Sequence, residues 1–148
     1  MTIEEYAGDR GRIRPLFELA EDSPQVLDAY IDAGRVLVAW EGDEPIGHLQ
    51  LVDGEIKNMA VLDSHQRRGV GGALARAAIE RARAEGRSRL VVATAAADVG
   101  NLRFYQRLGF RMRSVERDAF TPATGYPEPI DIDGIPLRDR VWLDRSIA

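Results

Sequence analysis

Apolar and polar positions along the chain change their period several times, and each change marks an element. "RVLVAWE" (Arg35–Glu41), "PIGHLQLV" (Pro45–Val52) and "EIKNMAVL" (Glu55–Leu62) are β-branched or alternating runs. The turn signals Gly42-Asp43 and Asp53-Gly54 separate them, so they read as three antiparallel strands joined by hairpins. Upstream, Ile3–Tyr6 reads as a short strand and "PLFELA" as a short helix opened by Pro15. Ser23-Pro24 is an N-cap with proline at the first helical position, and Gly34 is the matching stop. Between them Val26, Leu27, Tyr30 and Ile31 make one apolar face. A helix is expected from Gly71 to Glu85, ended by Gly86, with Leu74, Ala77, Ala78 and Ala82 inward. "SRLVVATA" (Ser88–Ala95) is continuously apolar and reads as a strand buried on both faces, returning parallel to the third hairpin strand. A short helix over Asn101–Phe110, stopped by Gly109, and strands at Phe110–Glu116 and Arg140–Ser146 complete the pattern. The fold class is therefore α/β, a mixed and mostly antiparallel sheet packed with helices, in one domain spanning residues 1–148.

Charge changes the picture more than composition does. Residues 1–54 hold 4 basic and 12 acidic groups, residues 55–117 hold 13 and 6, and residues 118–148 hold 3 and 6. A basic middle between acidic flanks suits an anionic ligand at the centre and a cationic one beside it. Lys57 is the only lysine. With no cysteine, and only His48 and His65 as histidines, no metal site is expected. No leader-like or membrane-spanning run is present, so the chain reads as cytoplasmic with no membrane partner. The net charge of −4 and an arginine-rich part without interleaved aromatics argue against a nucleic-acid partner.

"DSHQRRGVGGALARAAIE" (Asp63–Glu80) holds three glycines in four positions at a helix start. Each weakens the helix by about 1 kcal/mol relative to alanine. Strand, glycine loop and helix N-terminus together form a phosphate-binding arrangement, and a tight packing turn would look the same. Two phosphate motifs fail here. The P-loop needs Gly-Lys, and Val70 follows Gly69; the dinucleotide fingerprint needs glycine where Leu74 stands.

Gln66-Arg67-Arg68-Gly69-Val70-Gly71 matches [Gln/Arg]-x-x-Gly-x-[Gly/Ala] in full. It resembles the coenzyme A pyrophosphate loop of the GNAT N-acetyltransferases. "EIKNMAV" ahead of it resembles that family's fourth strand, and "FYQRLGF" its fourth helix and following strand. The resemblance implies fourth and fifth strands that are parallel but splay apart around acetyl-CoA, the acetyl donor. It implies a pantetheine arm on the backbone of Met59, Ala60 and Val61, and a pyrophosphate on the amides of Arg67, Arg68, Gly69, Val70, Gly71 and Gly72, with Gln66 opening the motif. Tyr105 falls where the family commonly has the acid that protonates the departing thiolate; filling the core is its other reading. Glu55 falls where the histone acetyltransferases of the superfamily carry a glutamate base; His48 and a water chain are the alternatives. The asparagine often found seven residues before that tyrosine is here Asp98, so Asn101 stands as the coenzyme contact or as a helix cap.

The expected activity is transfer of an acetyl group to a primary amine of a small molecule or a protein amino group. A non-catalytic acyl-CoA sensor on the same fold is the alternative. The long segment Asp118–Asp139, with Tyr126, Asp131, Asp133 and an Ile130/Ile132/Ile135/Leu137 run, reads as an ordered flap over the acceptor or as a homodimer contact.

Overall fold

In a strand covered on both faces, alternate apolar side chains feed two separate cores. The strand Arg35–Glu41 (β2) does this: Leu37 and Ala39 join an 18-residue cluster on one side of the sheet. Val36 and Val38 join a 7-residue cluster on the other. The computed structural model describes all residues, Met1–Ala148. Its main sheet contains β1 (Thr2–Glu5), β2, β3 (Glu44–Val52), β4 (Glu55–Val61), β5 (Arg89–Ala95), β6 (Arg111–Glu116) and β9 (Arg140–Ser146), in the order β1-β2-β3-β4-β5-β9-β6. A separate hairpin, β7 (Asp131–Ile132) with β8 (Ile135–Pro136), lies in the long segment. Every neighbouring pair is antiparallel except β4 and β5. Helices α1 (Arg14–Glu18) and α2 (Pro24–Tyr30) serve the smaller core; α3 (Val70–Ala84) and the tyrosine-bearing α4 (Val99–Arg107) serve the larger one.

The parallel pair is short. Only Glu55↔Val91 and Ile56↔Val92 are in register. At the same level β4 carries an irregularity against β3: Leu51 pairs with Ile56 but Gln50 pairs with Asn58, so Lys57 has no partner. An extra residue in one strand bends it and increases its twist, and the pairing with β5 stops there. The expectation that Glu55, Lys57 and Met59 share one face is overturned for this reason. Glu55 is registered with Val52 and Met59 with Leu49, positions of opposite parity on β3.

Local chemistry sets the helices. Ser23 Oγ accepts from the Val26 amide at 3.1 Å. At the other end of α2, Arg10 donates to the carbonyls of Ile31, Ala33 and Gly34, and buried Gln50 donates to those of Tyr30 and Ala33. These bonds satisfy terminal carbonyls that the helix cannot. In α3 the inward face is Leu74, Ala75, Ala78, Ile79 and Ala82, while Ala77 is only half-buried. Helix α4 begins two residues before Asn101, because Asp98 Oδ1 accepts the Asn101 amide at 2.9 Å. Strand β5 is not buried on both faces: Leu90 and Val92 are buried, while Val91, Ala93 and Ala95 are half-buried. Ala93 and Ala95 border the gap left by the parting strands.

Candidate functional site

A cleft of about 930 Å³ runs from the glycine loop, between β4 and β5, to the space beneath the long segment. At its first end the chain enters α3 through left-handed backbone at Arg67 (φ 65°) and Gly69 (φ 79°). The first bond into the helix is from the Ala73 amide to the Gly69 carbonyl, which leaves the amides of Val70, Gly71 and Gly72 without a partner in the chain. Gly71 meets a second demand. A Cβ there would come within 3.1 Å of the Phe104 ring, so a side chain would have to push that ring aside by a few tenths of an ångström. Gln66, Arg67, Gly69, Val70 and Gly71 border the cleft; Arg68 and Gly72 do not. Gln66 is turned onto its own loop, donating to the Val61 carbonyl at 3.2 Å and to Asp63 Oδ1 at 3.1 Å.

Beyond Ile56 and Val92, the β4 edge at Met59, Ala60 and Val61 is unpaired toward β5 and faces the cleft. Tyr105 stands opposite. Its ring is buried edge-on against Phe104 and Phe110, at 5.1 and 5.7 Å between centroids. Its hydroxyl donates only to Met59 Sδ, at 3.7 Å, a weak sulfur acceptor. Both sequence readings of Tyr105 therefore hold at once, since its ring fills the core while its hydroxyl lies at the cleft. Burial, with Asp98 adding to it, pushes its pKa above the ordinary tyrosine value. Asn101 also borders the cleft, with its amide capped by Asp98 and its side chain 3.4 Å from Thr94 Oγ1.

At the far end stands Glu55, half-buried and in no ion pair. Burial raises its carboxyl above the usual range, against the pull of Lys57 and Arg140. His48 is remote from this chemistry. It is fully buried, stacked on Phe17 at 4.3 Å, and does not border the cleft. Asn58 Nδ2 donates to the Phe17 carbonyl and Tyr30 Oη, so Asn58 Oδ1 accepts from His48 Nε2 at 2.6 Å and the proton is assigned to Nε2. Nδ1 then has no partner, and burial lowers the His48 pKa to about 4. Its place is structural, in the core and away from the cleft where a base would act. His65 is likewise tied locally, to Ser64 and Glu41.

Several cleft residues were not singled out for the site in the sequence. Glu21 joins the two roofs of the acceptor end: its carboxylate accepts from Tyr30 Oη at 3.0 Å and from Tyr126 Oη at 2.5 Å. Tyr126 packs edge-on against Phe120 at 5.1 Å, and the Arg140 guanidinium lies 4.9 Å from the Phe120 centroid. Arg140 and Trp142 both donate to Glu116 Oε1. Tyr30 was legible only as one member of an apolar helix face, and Glu21 only as part of an acidic run. Of the long segment, Phe120, Tyr126, Ile132 and Leu137 line the cleft, whereas Asp131 and Asp133 do not.

Comparison with known proteins agrees with this geometry. A model of the acetyltransferase (GNAT) family matches residues 4–110. The uncharacterised N-acetyltransferase YvbK of Bacillus subtilis is 35% identical over 136 residues, covering 87% of this chain and 86% of that one. Among solved structures, a GNAT family acetyltransferase from Elizabethkingia anophelis with acetyl-CoA bound superposes with a TM-score of 0.89 at 32% identity, covering 98% and 97% of the two chains. A Bacillus subtilis acetyltransferase in complex with CoA gives 0.87 at 33% identity, covering 97% of each. The chain with the parted β4 and β5 strands belongs to the GNAT acetyltransferase family.

Proposed function

We propose that the protein transfers the acetyl group of acetyl-CoA directly to a primary amine, with Glu55 as general base and Tyr105 as general acid. The observation that carries this reading is the position of both groups along one cleft, at the point where β4 and β5 part. The free amides of Val70 and Gly71, which border the cleft, receive the pyrophosphate, favoured by the N-terminal end of the α3 dipole. Arg67 adds positive charge at that end of the cleft. The unpaired edge of Met59–Val61 takes the pantetheine arm as an added strand. Acetyl-CoA supplies the activated carbonyl.

The residues then divide the proton work. An alkylammonium must lose a proton before it can attack, and a carboxyl with a raised pKa is a better match to that task than a free glutamate. The thiolate must gain a proton as it departs. A phenol whose burial keeps it protonated, and whose only present partner is a sulfur, is suited to supply it. Acetyl-CoA turnover belongs to the cytoplasm, where we place the protein. A homodimer would seat on the outer strand β6, where Met112 and Val115 are 55% and 63% exposed; light scattering of the wild type and Met112→Lys tests it.

The test of function is thiol release from acetyl-CoA against amines, amino acids and peptides, beside calorimetry of acetyl-CoA binding. Turnover with at least one amine is expected. Tight binding with no turnover on any acceptor would instead favour a coenzyme-sensing module.

A further inference from the structure

The acceptor end of the cleft carries two opposite charges that form no ion pair with each other. Glu55 and Lys57 both border it, two residues apart on β4, and neither takes part in an ion pair. The unpaired position of Lys57 in the β3–β4 register separates its side chain from the alternation that governs its neighbours. Its Nζ instead lies 5.0 Å from the centroid of the Tyr30 ring. An aromatic face holds an ammonium in place without cancelling its charge. Tyr30 is itself fixed, donating to Glu21 Oε1 and accepting from Asn58 Nδ2 at 2.9 Å.

The other charges nearby are already engaged or differently disposed. The Glu21 carboxylate accepts from two tyrosines and from the Ser23 amide. Arg140 is paired with Glu116 at 3.3 Å. Asp22 borders the cleft beside Glu21 and Asp98, and Asp22 and Asp98 take part in no ion pair, so they are the carboxylates left to greet a second cation. The remaining walls are apolar: Leu19, Val26, Tyr126, Ile132, Leu137 and Trp142.

We infer that the acceptor is a small zwitterion of the amino-acid type, with its amine directed to Glu55, its carboxylate received by Lys57, and an apolar side chain lodged under the long segment. The inference rests on the proposed acetyl transfer and narrows its substrate. An amine without a carboxylate would forgo the attraction of the Lys57 ammonium, which is exposed at the cleft rim and free to reach a bound anion. A diamine would set its second cation against Lys57. In an α-amino acid the two charges sit on one carbon, matching two opposite charges on adjacent stretches of one strand. The balance of the reaction is unchanged: Glu55 takes the ammonium proton, the C–N bond forms as the C–S bond breaks, the thiolate takes the Tyr105 proton, and the second proton shed by the nitrogen returns to the Tyr105 oxygen.

Matched acceptors test it. Leucine against 3-methylbutylamine, and phenylalanine against 2-phenylethylamine, differ by the carboxylate alone, and 1,5-diaminopentane tests the Asp22 alternative. With saturating acetyl-CoA, kcat/KM should favour each amino acid by at least about tenfold, the effect of one charge-assisted hydrogen bond. Lys57→Met should bring that ratio close to one through KM, Lys57→Arg should restore part of it, and the acetyl-CoA Kd should stay unchanged in both. Preference for the bare amines or the diamine, or a ratio that survives Lys57→Met, overturns the inference. Leucine titrated calorimetrically into protein saturated with desulfo-CoA separates the two readings. Binding lost in Lys57→Met without turnover in the wild type would sink acetyl transfer and keep the zwitterion site; no binding would sink the site.

Discussion

Tyr105→Phe separates stability from chemistry because the hydroxyl has so little to do in the resting fold. Its sole hydrogen bond is to Met59 Sδ at 3.7 Å, and the edge-on contacts with Phe104 and Phe110 belong to the ring, which phenylalanine keeps. A thioether contact of this kind is worth at most about 1 kcal/mol. For a chain of this size that is a fall in Tm of no more than about 4 °C. The catalytic loss is larger. A general acid contributes about 10²–10⁴-fold, or about 3–5 kcal/mol of barrier. Thus kcat for thiol release should fall at least about a hundredfold, while the acetyl-CoA Kd from calorimetry moves by less than about twofold. An unchanged kcat would return Tyr105 to the core alone. A kcat that falls only in step with a large drop in Tm would make it a support for α4.

Three further outcomes follow from the same site. Glu55→Gln should abolish the acidic-side limb of the pH–rate profile, and in the wild type that limb should lie above the ordinary glutamate range because burial raises the carboxyl; a limb that persists in the variant rules Glu55 out as the base. Gly71→Glu should weaken acetyl-CoA binding severely by setting a carboxylate beside the proposed pyrophosphate site, and should lower Tm somewhat because its Cβ meets the Phe104 ring at 3.1 Å, whereas Gly69→Ala meets nothing and should cost about 1–2 kcal/mol of stability from its φ of 79°; an unchanged Kd in Gly71→Glu would remove the loop from the coenzyme site. His48 has a folded pKa of about 4, below its unfolded value near 6.5, so its contribution is complete above about pH 6.5 and is lost as pH falls toward 4, by about 3 kcal/mol. Denaturant unfolding should show that slope in the wild type and not in His48→Gln; equal slopes would refute the assignment.

The parts of this fold that were legible in the sequence are those decided within a few residues. The Asp53-Gly54 turn has φ of 48° and 82°, the left-handed pair that a two-residue hairpin of this kind requires, and the bounds of β2 fall where the β-branched run begins and ends. The glycine loop was legible because left-handed backbone and close helix approach both select glycine. What escaped depends on distant partners. Nothing local marks Lys57 as the unpaired residue, since that follows from the register of β3 against β4. Glu21 and Tyr126 are 105 positions apart in the chain. In α3, alanines at 73, 75, 77, 78 and 82 offer several apolar faces, and only packing on the sheet selects Ala75 and Ile79 over Ala77. His48 reads as a base or as a core residue until its burial and its bond to Asn58 are known.

The unpaired residue in β4 ties the coenzyme site to the acceptor site, and deleting it tests that connection. Without Lys57, Asn58 would follow Ile56 directly, and the pairs Leu51↔Ile56 and Gln50↔Asn58 would become consecutive. Met59 and Ala60 would keep Leu49 and His48 as partners, so no apolar side chain changes face and the bonds of Asn58 to Phe17 and Tyr30 can persist. The strand loses its extra bend, and its parallel pairing with β5 can extend past Ile56↔Val92. The added ladder closes the edge at Met59–Val61 that the pantetheine arm needs. The deletion variant should therefore melt no lower than the wild type yet bind acetyl-CoA at least about a hundredfold more weakly. Lys57→Ala, which removes the ammonium and keeps the extra residue, should bind acetyl-CoA normally. If the deletion variant retains full affinity, the strands part for some other reason, and the separation of β4 from β5 must be traced to the packing of α3 and α4 instead.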